Sequence, residues 1–493
     1  MRQCLRDALG VNKPIYFTLA ADKTFCRITA LILLVLSGWA FNARAQTLTN
    51  LRSFTPTDGF GPHSLLQGRD GNFYGTAGSG GNLNLNNGSG WGTVFRITPT
   101  GLLTNLHSFI LTDGGEPNLL VQGSDGNFYG TTYTNTPGGL GTVFKMTSTG
   151  SITTLWLFGL NPGIDSAASH PVAGLVQGAD GNFYGTTSAG GANGDGIVFR
   201  ITPTGTLTNL HNFNGADGAN SQWGSLVPGN DGNFYGVTSG GGTNSQGNIY
   251  RISPTGNFTN LYSFSGTDGQ FPEAGLVLGS DGNFYGITSS GGTNNGGTIF
   301  RMTPTGVLTN LHLFAGVTDG HTPTALVQGS DGNFYGTTRQ GGGSTHCFDG
   351  CGTIFRITPS GTFTNLCSID ATNVASPVVG FVQGSDGNFY GTAFLVSYPF
   401  VDNIGDIFKL TVPLNPPANQ VSVIQTTGND VVVSIPSVAT ETYQLQVSNS
   451  LNPTNWVNVP GAAVTNCIGA LLTLTNSGGA TGPQGFYRFD IIP

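Results

Sequence analysis

One hexapeptide, Asp-Gly-Asn-Phe-Tyr-Gly, recurs seven times in this 493-residue chain. The copies begin at Asp70, Asp125, Asp180, Asp231, Asp281, Asp331 and Asp386, at spacings of 55, 55, 51, 50, 50 and 55. Each copy follows an apolar run such as residues 119–123 and precedes a Gly/Asn-rich stretch, a segment like residues 297–304 and a last segment like residues 308–314. Four short β-prone segments per period, parted by turn residues, are the pattern of a β-propeller blade. Within each unit we name the four strands a to d in chain order. Asp-Gly falls between a and b, where a tight hairpin needs residues that tolerate positive φ, and Thr-Pro-Thr-Gly or a variant falls between c and d in most units. The Phe and Tyr of strand b point to opposite faces, so both are buried only in a sheet covered on two sides.

The ends of the array predict closure. A detached d-type segment, residues 47–54, precedes the first hexapeptide, and the seventh unit stops after strand c at residues 408–411. A first strand that completes the last blade removes both open sheet edges. The expected fold is therefore all-β, a seven-bladed β-propeller over residues 46–412 closed by its N-terminal strand. Residues 413–418, which include two adjacent prolines, read as a linker. Residues 419–493 alternate apolar and polar positions and read as a small β-sandwich, without the Cys-Trp-Cys spacing of an immunoglobulin domain.

Residues 1–45 read as a signal peptide. Lys23 and Arg27 precede an apolar core from Ile28 to Leu36, and Ala43 and Ala45 are the small residues expected ahead of a cleavage site before Gln46. The core is short for a membrane span, and no later run approaches that length. A secreted or cell-surface protein with no membrane span after signal removal is the expectation. Such a compartment favours disulfides. Cys347 and Cys351 bracket a short loop suited to a local bridge; a metal site is the competing reading, with only His346 beside them. Cys367 and Cys467 fall in different expected domains, either paired or free. Charged residues make up 9% of the chain, the formal net charge is −8, and no basic run matches a row of phosphates, so nucleic acid is not an expected partner.

The repeats resemble the bacterial GloVer tandem-repeat family of exported proteins. The resemblance spans residues 47–412 and rests on the hexapeptide with its following Thr residues, the Gly-Gly-rich stretch and the Gly-Thr-Ile-Phe-Arg-Ile-Thr-Pro-Thr-Gly type of segment. It implies location and architecture more than chemistry. The C-terminal segment, with Tyr443, Trp456 and Phe486, is similar to small β domains appended to such proteins. A more distant resemblance is to the virginiamycin B lyase propellers, whose blades share the Asp-Gly-Asn turn and the Arg-Ile-Thr-Pro segment. It implies the fold alone, because the lyase's acid/base His and metal-binding carboxylate match no position here.

The a–b and c–d turns lie on one face of a propeller and the b–c and d–a loops on the other; the second set is long and variable here, so binding is expected on that face. Blades 6, 7 and 1 carry the longer b–c loops and are neighbours in a closed ring. Trp91, Arg339, His346, Phe348, Tyr398 and Phe400 form the candidate ligand-binding sector, where aromatic side chains suit a carbohydrate or a protein partner. The seven hexapeptide aspartates supply too few oxygens for a calcium array. Each is expected instead to pair with the cation that follows the strand c aromatic, at Arg96, Lys145, Arg200, Arg251, Arg301, Arg356 and Lys409. The recurrent Asp58, Asp113, Asp217, Asp268 and Asp319 read as turn residues, and His107, His211 and His312 as packing residues on strand d. Glu116, His170, Asp195, Glu273 and His321 do not recur and are the acid/base candidates of the variable face, although no two share a motif spacing. No catalytic residue, cofactor or metal is assigned. The chain reads as a non-catalytic binding or surface-interaction module, and the alternative is an extracellular lyase or glycan-active hydrolase with its site in the central funnel.

Overall fold

The computed structural model describes residues 47–135, 139–160, 168–221, 224–316, 318–343, 349–369, 377–393 and 405–412, together with six strands between Val423 and Ile492. Seven four-stranded antiparallel sheets form a seven-bladed β-propeller. Blade 1 comprises Phe60–Gln67, Phe73–Ser79, Thr93–Ile97 and Leu103–Ser108 as strands a to d. Blades 2 to 6 repeat this order within residues 115–157, 176–212, 227–263, 277–313 and 321–368. Blade 7 takes a, b and c from Pro377–Gln383, Phe389–Ala393 and Asp406–Thr411, and its outer strand is Thr47–Ser53 from the start of the array. The closing register runs from Thr47 opposite Thr411 to Ser53 opposite Asp406. Asn50 Nδ2 donates to Asp406 Oδ1 at 3.0 Å, and the Phe54 N–H donates to the Gly405 carbonyl at 2.9 Å. Past residue 412, the six described strands make two three-stranded antiparallel sheets.

The hexapeptide builds each blade from within. In blade 1, Gly71 holds a φ of +80° that a side chain would resist, while Asp70 accepts the Asn72 N–H at 3.2 Å and its side-chain amide at 2.7 Å. The Tyr74 hydroxyl then donates to the same carboxylate at 2.9 Å, tying the hairpin tip to strand b. The last Gly of the motif is required by packing: a Cβ on Gly75 would lie 2.5 Å from Phe95 Cζ, and one on Gly286 would lie 2.4 Å from Phe300 Cζ. The strand c ring thus lies across a strand b position that has no side chain.

Between blades, the Tyr of one hexapeptide packs on the Phe of the next. Tyr129 and Phe183 have ring centroids 3.9 Å apart, Tyr285 and Phe334 also 3.9 Å, and the cycle shuts with Tyr390 on Phe73 at 4.1 Å. All seven pairs form, each contributing about 0.5–1.5 kcal/mol beyond the area it buries. A second link joins five of the seven interfaces. The backbone N–H at the a–b turn of one blade donates to a strand a glutamine of the next: Arg69 to Gln122, Ser124 to Gln177, Ser280 to Gln328, Ser330 to Gln383 and Ser385 to Gln67. Blades 4 and 5 carry Pro228 and Leu278 at that register position, so the seams from blade 3 to 4 and from 4 to 5 lack the clasp.

The expected pairing of hexapeptide aspartates with strand c cations holds in two blades only. Lys145 Nζ lies 2.9 Å from Asp125 Oδ2 and Lys409 Nζ lies 3.3 Å from Asp386 Oδ2. In the five blades that carry Arg, no such ion pair forms; the guanidinium stands beside the tyrosine hydroxyl. Asn and Tyr of the hexapeptide bond the carboxylate in all seven blades, so the difference lies in the cation: the Lys ammonium reaches the carboxylate alongside them, whereas the Arg guanidinium bonds the tyrosine hydroxyl instead.

Candidate functional site

The variable face is organised by a joint that recurs at or shortly before strand a. Gly61, Glu116, His170, Asn220, Phe271 and Thr322 hold left-handed backbone, with φ of 60°, 54°, 56°, 52°, 55° and 54°. In all but Asn220 the next residue is proline, which seats on the glycine that opens strand c of the preceding blade. Cβ atoms built on Gly141 and Gly297 would lie 2.7 Å from Cδ of Pro171 and Pro323. The left-handed turn hands its own N–H to that same neighbour: Glu116 to the Trp91 carbonyl at 2.9 Å, His170 to Leu140 at 3.0 Å and Phe271 to Gln246 at 3.0 Å. Glycine meets this backbone demand at the least cost, as Gly61 does in blade 1, with open space where a Cβ would stand. Each side chain kept at the other five positions costs about 1–2 kcal/mol of backbone strain.

The residue after the proline faces inward. His63, Asn118, Val172, Glu273 and Thr324 line one cavity of about 430 Å³, with Arg339 reaching it from the end of strand b of blade 6. Burial pushes the Glu273 carboxyl up, and the Ser289 hydroxyl and the Arg339 charge partly offset this. Burial pushes His63 below its ordinary value; its Nδ1 lies 3.0 Å from the Pro117 carbonyl, an acceptor only, so Nδ1 carries the proton. Asn118 is buried, and its side-chain amide donates to the Pro171 carbonyl of the next blade. The funnel wall therefore presents an imidazole, an amide, a carboxylate, a hydroxyl and a guanidinium in a setting that is largely apolar.

The acid/base candidates of the variable face divide. Glu273 lines the cavity, while Glu116 and His170 sit on adjacent blades as equivalent residues of the joint. Burial raises the Glu116 carboxyl, partly offset by the His170 charge. The His170 ring packs on Tyr133, with centroids 4.4 Å apart. Asp195 contributes its backbone carbonyl to the Asn220 N–H, and His321 Nδ1 lies beside the Thr322 hydroxyl. Among the described residues, no three His, Cys, Asp or Glu side chains are grouped to hold a metal ion.

The d–a aspartates close turns, and the same carboxylates clamp strand d. Asp113 accepts the Ile110 N–H at 2.9 Å and meets His107 Nε2 at 3.0 Å; Asp217 and Asp319 meet His211 and His312 at 3.1 Å. Arg52 and Tyr262 take the histidine's place opposite Asp58 and Asp268. Burial holds His211 and His312 below their ordinary value despite the carboxylates, so these contacts are hydrogen bonds of neutral imidazoles at neutral pH. His211 and His312 also stack on Phe258 and Phe363 of the neighbouring blades, both at 3.9 Å.

Of the sequence-based binding sector, Arg339 is exposed on the funnel, and Trp91 is half-buried against Gly115 and does not line the cavity. His346, Cys347, Phe348, Tyr398 and Phe400 lie outside the described residues. Cys351 is disulfide-bonded and Cys367 is a free thiol, which burial pushes up in pKa. Sequence reasoning passed over His63, Asn118, Thr324 and the whole joint. The available signal was a proline recurring at 62, 117, 171, 272, 323 and 377, flanked on both sides by residues that change from copy to copy.

The model of the Gloeobacter/Verrucomicrobia repeat matches residues 35–229, 84–279 and 223–432. No curated protein sequence matches the chain. Among solved structures, a catalytically inactive variant of virginiamycin B lyase from Staphylococcus aureus with quinupristin is 20% identical, covering 74% of this chain and 99% of the lyase at a TM-score of 0.51. An extracellular domain assigned to a hybrid two-component system of B. thetaiotaomicron is 12% identical over 90% of this chain and 57% of its own, with a TM-score of 0.49. A gluconolactonase from Xanthomonas campestris is 11% identical over 76% and 93%, with a TM-score of 0.39. The likeness to the lyase is one of fold alone.

Proposed function

The chain belongs to the Gloeobacter/Verrucomicrobia repeat family, and from that footing we propose that it is an exported, non-catalytic binding module that takes a carbohydrate at the mouth of its central funnel. One observation carries the reading. Side chains differ from blade to blade at two positions, before and after the strand a proline, while the frame around them repeats nearly unchanged. A small set of convergent polar groups in a largely apolar concavity is what a small-ligand site requires. Amide, hydroxyl, carboxylate and guanidinium groups with little net charge suit a polyhydroxylated ligand. Support for export comes from the pattern of residues 23–45. Screening the protein against immobilised neutral and acidic glycans tests the reading, with binding expected and reduced at least tenfold by Arg339→Ala. A silent array removes it. Finding the protein in the cytoplasm with residues 1–45 intact removes export.

A second reading, an extracellular lyase or hydrolase, is favoured by the presence of His63, Glu273 and Arg339 in one cavity, with the carboxyl raised by burial. It predicts new reducing ends or unsaturated products from a bound glycan, abolished by Glu273→Gln. Binding without product formation leaves the first reading standing.

A further inference from the structure

We propose that Trp91, Glu116, Tyr133 and His170 form a second binding site, on the rim where blades 1 to 3 meet, that receives one pyranose ring of a neutral glycan. The proposal rests on the reading of the chain as a carbohydrate-binding module, and none of the four residues lines the funnel cavity.

Contacts on three blades hold the cluster together. Glu116 donates its N–H to the Trp91 carbonyl, and the Trp91 ring lies against Gly115, where a Cβ would come within 2.9 Å of Cε3. Tyr133, at the end of strand b of the same blade, is 37% exposed, and its inner contact is the His170 ring at 4.4 Å, tilted by 33°. A half-exposed aromatic backed by a second ring is a fixed flat platform, and such a platform packs on the C–H face of a sugar while polar neighbours take its hydroxyls. Glu116, exposed beside it, is an acceptor for those hydroxyls.

Backbone strain says the side chains are kept for something other than the fold. Glu116 and His170 both hold left-handed φ ahead of a proline, a combination disfavoured twice over, and Gly61 shows that the same joint forms with no side chain at all. Residues held in such a conformation against a glycine alternative mark positions where the side chain has a task. Among the described residues the exposed large apolar side chains divide between the faces, Leu102 and Val307 on the c–d turns and Ile110, Tyr133, Leu160 and Phe271 on the b–c and d–a side; at Tyr133 the flanking groups are the His170 imidazole and the Glu116 carboxylate, which favour a hydroxylated ligand over an apolar protein surface.

The test pairs melting with binding. Glu116→Gly, His170→Gly and Tyr133→Ala are compared with the parent and with Arg339→Ala in calorimetric titrations against the hexasaccharides of β-1,4-glucan, β-1,4-xylan and β-1,4-mannan. The two glycine variants are expected to melt within about 1 °C of the parent or above it, because relief of strain offsets the added freedom of the unfolded chain. All three rim variants are expected to lose at least tenfold in affinity for the best of the probes. Rim variants that bind within twofold of the parent, while Arg339→Ala loses binding, overturn the rim site and leave the funnel reading intact. Glycine variants that melt more than about 3 °C lower overturn it too, since the side chains would then serve stability. A parent chain that binds none of the three probes overturns the neutral-glycan reading, and the rim site falls with it.

Discussion

At the hairpin tips, six aspartates, Asp70, Asp125, Asp180, Asp231, Asp281 and Asp386, sit below the usual aspartate value of 3.8: burial opposes ionisation, but hydrogen bonds from Asn, Tyr and backbone N–H groups outweigh it. The unfolded chain therefore binds more protons than the folded one as pH falls through this range, so stability is full above about pH 4 and is lost progressively below it. Urea midpoints measured from pH 6 to pH 2 should fall steeply below pH 4, and a flat profile would contradict the hydrogen-bonded tips. Tyr250 stands where six blades have Phe, fully buried, with no well-formed hydrogen bond to its hydroxyl. Ser221, its polar neighbour, donates to the Val237 carbonyl. Tyr250→Phe is expected to leave stability unchanged or raise it by about 1 kcal/mol in denaturant titration, because an unsatisfied buried hydroxyl is removed. At this scale the sequence was legible wherever residues repeat and opaque where they vary. Glu116 and His170 read as unrelated because their own residue types differ; the only mark of their likeness is the proline that follows each, and the backbone angle they share is not written in the residue type.

Among the elements, strands b and c were the most legible, since buried Phe, Tyr and Gly leave few alternatives. Strand a was the least: in blades 3 to 5 it shrinks to two residues, Val176–Gln177, Val227–Pro228 and Val277–Leu278. What holds it there is the left-handed joint, with its proline in blades 3 and 5, and the neighbouring blade, which are tertiary contacts. The interfaces are also unequal in a way the hexapeptide hides. Amides of Ser124, Ser280, Ser330 and Ser385 are clasped by glutamine, whereas those of Ala179 and Asn230 face Pro228 and Leu278. Native-state hydrogen exchange is expected to be faster at Ala179 and Asn230 than at the four serines. Equal protection at all six would mean that the glutamines bind too weakly to matter. The Arg residues of strand c show the converse limit, for their spacing matched an ion pair, while the guanidinium bonds the tyrosine hydroxyl instead.

For the whole molecule, closure rests on Thr47–Ser53 lying against Asp406–Thr411 and on the ring contact of Tyr390 with Phe73. Removing residues 47–54 is expected to lower the melting temperature by more than about 10 °C and to yield oligomers in size-exclusion chromatography, because the Asp406–Thr411 edge becomes free to pair with another chain. A monomer of unchanged melting temperature would show that the aromatic cycle suffices. The sevenfold count and the closing strand were legible because the missing segment at one end is present at the other. The funnel's chemistry was not, because it is assembled from residues spread over several blades. Asn50 and its partner Asp406 stand 356 residues apart in the chain. A chain synthesised from its N-terminus must keep its opening strand unspent until nearly the whole wheel exists, so the fastening of its oldest segment waits on its newest, and a product cut short before Asp406 has nothing for that strand to latch onto.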